Sequence, residues 1–163
     1  MTRSVSLQKI ISGGQTGVDR AALDAALMLD FPCGGWCPEG RRAEDGRIPD
    51  HYPLRELAGG YRRRTLQNVI ASDATAVIYF AELDGGTELT VAACVRKLRP
   101  YRLINGEDIS ARRGALMLSE WVAGHAVGTL NVAGPRLSKS PKAYAYTYEL
   151  ISIFLADYCG NGP

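Results

Sequence analysis

Short apolar runs alternate along this chain with stretches of helical period. Residues 8–12 form a brief apolar run that ends in Gly13-Gly14, which predicts a buried strand. Residues 18–30 are apolar on most faces and predict a helix that Pro32 closes. Residues 33–37 predict a short second strand. Leu66, Val69 and Ile70 follow i, i+3, i+4 spacing, which predicts a helix over 64–72. Residues 75–80 are the clearest strand, an unbroken apolar run of the kind buried on both faces of a parallel sheet. Val91, Val95 and Leu98 mark one side of a helix over 87–98, and residues 101–104 are strand-like. Ala111, Ala115, Leu118 and Val122 fall on one helical stripe, and residues 127–133 predict the last strand. Ser140-Pro141 supplies a capping hydroxyl and a proline at the first helical position. Tyr144, Tyr148, Ile151 and Leu155 give that helix its buried face.

Strands and helices thus alternate about five times. The expected fold is α/β: one Rossmann-like three-layer domain over 1–163, with a mostly parallel sheet of about five strands. No linker, repeat or low-complexity segment interrupts it. Strand order does not follow from the pattern. Residues 38–61 stand apart, carrying Pro, Gly and charge with little periodicity. A loop of that length within a compact domain is uncommon and often functional.

The hydrophobic fraction of 46% over 163 residues is enough for a substantial core. A net charge of +2 gives no argument for nucleic acid or an acidic membrane as partner. The positive charge is 15 Arg against 4 Lys. That bias suits phosphate or carboxylate recognition, and equally suits codon usage in a GC-rich genome, since Ala and Gly are also plentiful. No apolar run reaches the roughly 20 residues of a membrane span. Residues 1–6 show no signal-peptide core, so a cytoplasmic protein is expected. Cys33, Cys37, Cys94 and Cys159 form no Cys-x-x-Cys pair, so reduced thiols are expected. Cys33 and Cys37 with His51 lack the two tight ligand pairs usual for zinc, and no metal site is expected.

Three strand ends run into glycine and small polar residues: Gly13-Gly14-Gln15-Thr16-Gly17, Asp84-Gly85-Gly86-Thr87 and Gly134-Pro135-Arg136. A helix N-terminus leaves free N–H groups and a positive dipole end, and glycine lets an anion come close to them. Any one such turn is explained by the need for a tight strand-to-helix link. Three at successive strand ends argue for ligand binding beyond the carboxyl ends of the strands. Thr16 and Thr87 fit two roles, capping their helices or bonding a phosphate oxygen. None of the turns is a Walker A loop or a G-x-G-x-x-G fingerprint. Arg64, in the cluster Arg62-Arg63-Arg64, is either a solvated surface charge or a bidentate phosphate clamp. Arg41, Arg42, Glu44, Asp45 and Arg47 either lid the site or pair with one another on the surface. Asp19 is expected to pin its own helix N-terminus, and His51 and His125 to be structural.

The segment Gly-Gly-Gln-Thr-Gly-Val-Asp-Arg-Ala-Ala-Leu-Asp at 13–24 resembles the opening motif of the putative molybdenum carrier family, the circularly permuted YpsA-like branch of the SLOG superfamily. So do Trp36-Cys37-Pro38-Glu39-Gly40-Arg41-Arg42, Tyr61, Arg64-Thr65, Asn68-Val69, Ser72-Asp73-Ala74-Thr75 and Gly85-Gly86-Thr87-Glu88-Leu89-Thr90. The resemblance implies a Rossmann-like fold, a phosphate-bearing ligand and assembly into homo-oligomers. The wider superfamily includes the algal molybdenum-cofactor carrier and the Lonely Guy phosphoribohydrolases. In the latter pattern an Arg stands eight residues before Ser-Asp-Ala, as Arg64 does here, and a catalytic Glu stands three after the Thr. Thr90 occupies that Glu position, and Thr is no general acid or base at neutral pH. Glu88 would point about 200° away from it on a helix.

The expected function is therefore binding of a nucleotide-like or pterin ligand, molybdenum cofactor or a nucleotide, as a carrier or sensor. The expected site is Gly13, Gly14, Gln15, Thr16, Gly17, Arg64, Gly85, Gly86 and Thr87. A nucleotide-processing hydrolase using Glu88, Asp19, Glu44 or Asp45 stays open as the alternative, as does an interaction module with a decayed site.

Overall fold

The computed structural model describes residues 6–159, so the reading of residues 1–5 lies outside it. The first strand, β1 (Lys9–Ile11), runs into α1 (Val18–Met28) and then β2 (Cys33–Gly34). Four short strands follow: β3 (Trp36–Pro38), β4 (Arg42–Ala43), β5 (Gly46–Arg47) and β6 (Arg55–Leu57). The chain continues as α2 (Gly60–Ile70), β7 (Ala74–Tyr79), α3 (Gly85–Arg96), β8 (Tyr101–Asn105), α4 (Ala111–Gly124), β9 (Thr129–Ala133) and α5 (Ala143–Cys159).

The main sheet has five strands in the order β2-β1-β9-β7-β8, and every pairing in it is parallel. The last strand thus inserts between β1 and β7, with Leu130 opposite both Ile10 and Ala74. Inward hydroxyls and amides tie the strands: Ser12 Oγ donates to the Val132 carbonyl at 2.6 Å, and Asn131 Nδ2 to Thr75 Oγ1 at 3.2 Å. Helices α1, α5 and α4 pack together on one side, and α2 and α3 pack together on the other. Four alanines of α1, Ala21, Ala22, Ala25 and Ala26, are fully buried, and their small side chains let α5 lie close. Ile10, Leu130, Leu150 and Phe154 are also fully buried, and each contributes roughly 1.5–3 kcal/mol of transfer free energy. A smaller cluster of Val69, Ala93 and Cys94 joins α2 to α3.

The stretch read as an unstructured loop is an ordered insertion with two small sheets, β3 with β6 in parallel and β4 with β5 antiparallel. A small apolar cluster of Cys37, Ile48 and Tyr52 packs on Leu23 of α1, and a buried charge lies beside it. The buried Arg41 guanidinium donates to the carbonyls of Ile48, Pro49, Tyr52 and Leu54 at 2.8–3.3 Å. Backbone groups that would otherwise need strand partners are satisfied this way. The single strand expected over 33–37 is two strands, because Gly35, at φ +126°, turns the chain against the Ser12 carbonyl. Helix α2 begins four residues earlier than its apolar spacing suggested, so Arg62, Arg63 and Arg64 lie inside it. The final helix starts at Ala143, preceded by a turn in which Ala143 N–H donates to the Ser140 carbonyl. No helix among the described residues is long and apolar enough to cross a membrane.

Candidate functional site

The strand order sets side by side three strands that are far apart in sequence. The carboxyl ends of β1, β9 and β7 are neighbours, so their three glycine turns open into one cavity of about 290 Å³. Its fourth wall is α2, which presents Tyr61, Arg64, Thr65 and Asn68. Those positions are i, i+3, i+4 and i+7, one face of the helix.

Arg64 dominates the cavity. It is only 8% exposed and passes so close to the β1 turn that a Cβ on Gly13 would lie 1.7 Å from Nη1. Its Nη1 reaches Asp19 Oδ2 at 3.4 Å, a long contact, and its Nε is buried without a hydrogen-bond partner. A guanidinium carries five N–H donors, and an unmet buried donor costs on the order of 1–3 kcal/mol. The Tyr61 ring lies 5.8 Å from Arg64 Cζ, within cation–π range. Asp19 is buried beneath the turn and accepts from Gln15 N–H at 3.3 Å. Burial pushes its carboxyl pKa up, more than Arg64 and the backbone N–H groups of Gln15 and Gly13 pull it down. Asp19 thus joins the β1 turn to Arg64, and its backbone bond goes to Gln15, ahead of α1, rather than to the first turn of its own helix.

A further wall of the cavity is the start of α3. Asp84 makes no side-chain cap; its carbonyl accepts from Thr87 and Glu88 N–H at 3.0 and 3.2 Å. The N–H groups of Gly85 and Gly86 have no acceptor within the helix. Space at Gly86 is open: nothing lies within 4 Å of where its Cβ would be.

Of the residues expected at the site, Gly13, Gln15, Arg64, Gly85, Gly86 and Thr87 line the cavity. Gly14, Thr16 and Gly17 do not. Gly14, at φ +80°, packs on Leu54, and Gly17, at φ +79°, on the Pro135 carbonyl. The Thr16 hydroxyl donates to Glu44 and accepts from Leu137 N–H at 3.1 Å. Glu44 also accepts from Ser138 N–H at 3.1 Å, while its own N–H donates to Gln15 Oε1 at 2.9 Å. The insertion is therefore tied to the β1 and β9 turns through Glu44, and to α1 through the Arg20–Asp45 pair. Burial opposes ionisation of Glu44, but hydrogen bonds from Ser138 and Thr16 together with Arg136 hold its pKa below the usual carboxylate range.

The residue reading missed Asn68 and Asn131 as lining residues. The Asn68 amide clamps the Trp36 backbone with two 2.9 Å bonds and so fixes α2 against β3. The signal for Asn68 was the polar stripe Tyr61-Arg64-Thr65-Asn68 on α2, hidden because Gly59-Gly60 looks like a loop, whereas Asn131 sits within the apolar run of β9 and had none.

Of the four carboxylates weighed for hydrolysis, only Asp19 lines the cavity. Glu88 is exposed, Glu44 and Asp45 are engaged elsewhere, and the Thr90 hydroxyl donates to the Gly86 carbonyl at 2.9 Å. Asp84, at the start of α3, is the other carboxylate lining the cavity. Cys33, Cys37 and His51 do not assemble: among the described residues no group of His, Cys, Asp or Glu could hold a metal. Burial raises the Cys33 and Cys37 thiol pKa values, and the His51 ring lies tilted against Tyr52 with centroids 4.1 Å apart.

Comparison with curated proteins finds no match. Among solved structures, a putative molybdenum carrier protein from Syntrophus aciditrophicus SB is 43% identical, with a TM-score of 0.89. The match covers 91% of this chain and 95% of that one. The circularly permutated YpsA SLOG family matches residues 10–155, and the chain belongs to that family.

Proposed function

We propose that the cavity between α2, the β1 turn and the start of α3 binds a small phosphate-bearing ligand of nucleotide-like or pterin type. The protein then serves as its carrier, with molybdenum cofactor as the cargo suggested by the relative's name. The observation that carries this reading is Arg64, a buried guanidinium lining a cavity shared with a glycine helix start. One phosphate oxygen would bond the guanidinium, and a second would take the Gly85 and Gly86 N–H groups. Gly13 fits the same purpose, since it alone lets Arg64 lie flat against the turn. The phosphate and organic portions of such a cargo are within the scale of the cavity, at the lower end of usual ligand pockets.

The test is a thermal-shift screen against nucleoside mono- and diphosphates, ADP-ribose, NAD and molybdenum cofactor. A ligand at a hundred times its dissociation constant stabilises by about 2.7 kcal/mol. A shift that disappears in Arg64→Met is the expected result. No shift with any of them would refute the reading.

A further inference from the structure

The charged side chains on the cavity wall are Asp19, Arg64, Asp84, Arg136 and Lys139. Three of them reach solvent. Asp84 and Lys139 pair at 3.5 Å, Arg136 lies 3.6 Å from Glu44, and all three side chains are about half exposed or more. Water screens charges of that kind. Asp19 and Arg64 differ, with side chains only 10% and 9% exposed.

These two buried charges cancel. A carboxylate and a guanidinium 3.4 Å apart offer an entering anion no net charge. They also stand over the same glycine: where a Gly13 Cβ would be, Arg64 Nη1 lies at 1.7 Å and Asp19 Oδ2 at 2.9 Å. An anion that reaches this guanidinium therefore meets the carboxylate too, and like charges repel strongly where little water screens them.

The surroundings of Asp19 already compensate its charge poorly. Its contacts with Gln15 N–H at 3.3 Å and Arg64 Nη1 at 3.4 Å are both long for N–H···O bonds. The Ser12 hydroxyl beside it gives its hydrogen to the Val132 carbonyl at 2.6 Å, which leaves Ser12 Oγ to Asp19 as an acceptor. A protonated Asp19 has a use for that acceptor, and an ionised one has none. Burial, the largest influence on this carboxyl, favours the neutral form, and Arg64 opposes it.

We infer that Asp19 takes up one proton when the ligand's anionic group binds, and so frees the charge of Arg64 for the anion. The inference rests on the phosphate reading above and gives Asp19 a part in that site. The proton comes from solvent, and no covalent bond to the ligand forms or breaks. The buried pair passes from no net charge to a single positive charge. A carrier built this way holds its cargo more tightly as pH falls and yields it as pH rises, because the complex binds a proton that the free protein lacks.

Sulfate tests this, since it stands in for a phosphate and keeps one charge throughout the range used. Isothermal titration of the full chain runs from about pH 5 to about pH 9, with each point in two buffers of different ionisation enthalpy. It reads affinity and the number of protons taken up together. The expected affinity falls by up to about tenfold per pH unit where Asp19 titrates, with uptake approaching one proton per sulfate there. Asp19→Asn has the charge of the neutral acid at every pH. Its sulfate affinity should be flat with pH, without proton uptake, and above the titration range it should exceed that of the parent. The slope and uptake of the parent decide the matter even if this variant does not fold. A parent with flat affinity and no proton uptake would overturn the inference and leave the anion site standing. A slope that survives in Asp19→Asn, or that Asp84→Asn removes, would place the proton elsewhere and overturn it equally. If sulfate binds at no pH, the phosphate reading and this inference fall together.

Discussion

Replacing Gly13 by Ala isolates the contribution of Arg64 more cleanly than removing Arg64 itself. Gly13 is not among the glycines at positive φ, so the backbone accepts an alanine without strain. The new Cβ would lie 1.7 Å from Arg64 Nη1, 2.7 Å from Cζ and 2.9 Å from Asp19 Oδ2. The guanidinium has to leave the turn, and its contact with Asp19 goes with it. A hydrogen bond to a charged group is worth about 1.5–3 kcal/mol, so the fold should lose that amount. At about 2–4 °C per kcal/mol for a chain of this size, the melting temperature should fall by about 3–12 °C. Affinity for a phosphate ligand should fall by about ten- to a hundredfold, the same free energy applied to binding. Gly86→Ala is the counterpart: no atom lies within 4 Å of its Cβ, so stability should hold or rise by about 0.5–1 kcal/mol while affinity falls. Calorimetry for stability and titration for affinity read both variants. A Gly13→Ala protein with unchanged melting temperature would show that Arg64 is not held against the turn. A destabilised Gly13→Ala protein with unchanged affinity would remove Arg64 from the binding site.

Three further outcomes follow from the packing. Gly35→Ala should destabilise by upwards of about 3 kcal/mol in chemical denaturation, because its φ is +126° and its Cβ would strike the Ser12 carbonyl at 2.1 Å; a loss under about 1 kcal/mol would contradict this. Arg41→Met should leave the carbonyls of Ile48, Pro49, Tyr52 and Leu54 without their donor, so limited proteolysis should cut within 38–58 far faster than in the parent, and equal cutting rates would count against the role given to Arg41. Glu44 and Asp45 have lowered pKa values, so their stabilisation is complete above the ordinary carboxylate range of about 4 and disappears as pH falls through their folded values. Hydrogen-exchange protection of the insertion should therefore drop on acidification below about pH 4, and Glu44→Gln should show part of that loss at neutral pH. Asp19 acts with the opposite sign, since its raised pKa opposes folding at neutral pH and that opposition fades as it is protonated. Protection independent of pH would show that Glu44 does not hold the insertion.

Much of the fold was legible because a parallel sheet buried on both faces writes continuous apolar runs, as in residues 75–80. Helices α1 and α4 were equally plain, since their apolar stripes pack on the sheet. Strand order was not legible, because nothing local records that β9 inserts between β1 and β7. That placement makes one cavity of three separate turns. The insertion escaped periodicity because its buried apolar residues, Cys37, Ile48 and Tyr52, are irregularly spaced, and because Arg41 bonds its carbonyls where no long ladder does. The glycine turns were visible as turns, yet their roles divide by packing. Gly13 and Gly86 face the cavity, whereas Gly14 and Gly17 serve close contacts with Leu54 and Pro135. A glycine in a motif does not tell these two apart. Thr16 shows the same limit, since its hydroxyl is taken by a carboxylate 28 residues away.

The central claim is that a phosphate group lies between Arg64 and the start of α3. A crystal structure of the protein with the tightest-binding compound of the nucleotide and cofactor screen tests it most directly. The account predicts a phosphate within hydrogen-bond distance of the Arg64 guanidinium and of the Gly85 and Gly86 N–H groups. A phosphate bound elsewhere, with Arg64 still against Asp19 and its Nε unpartnered, would contradict it.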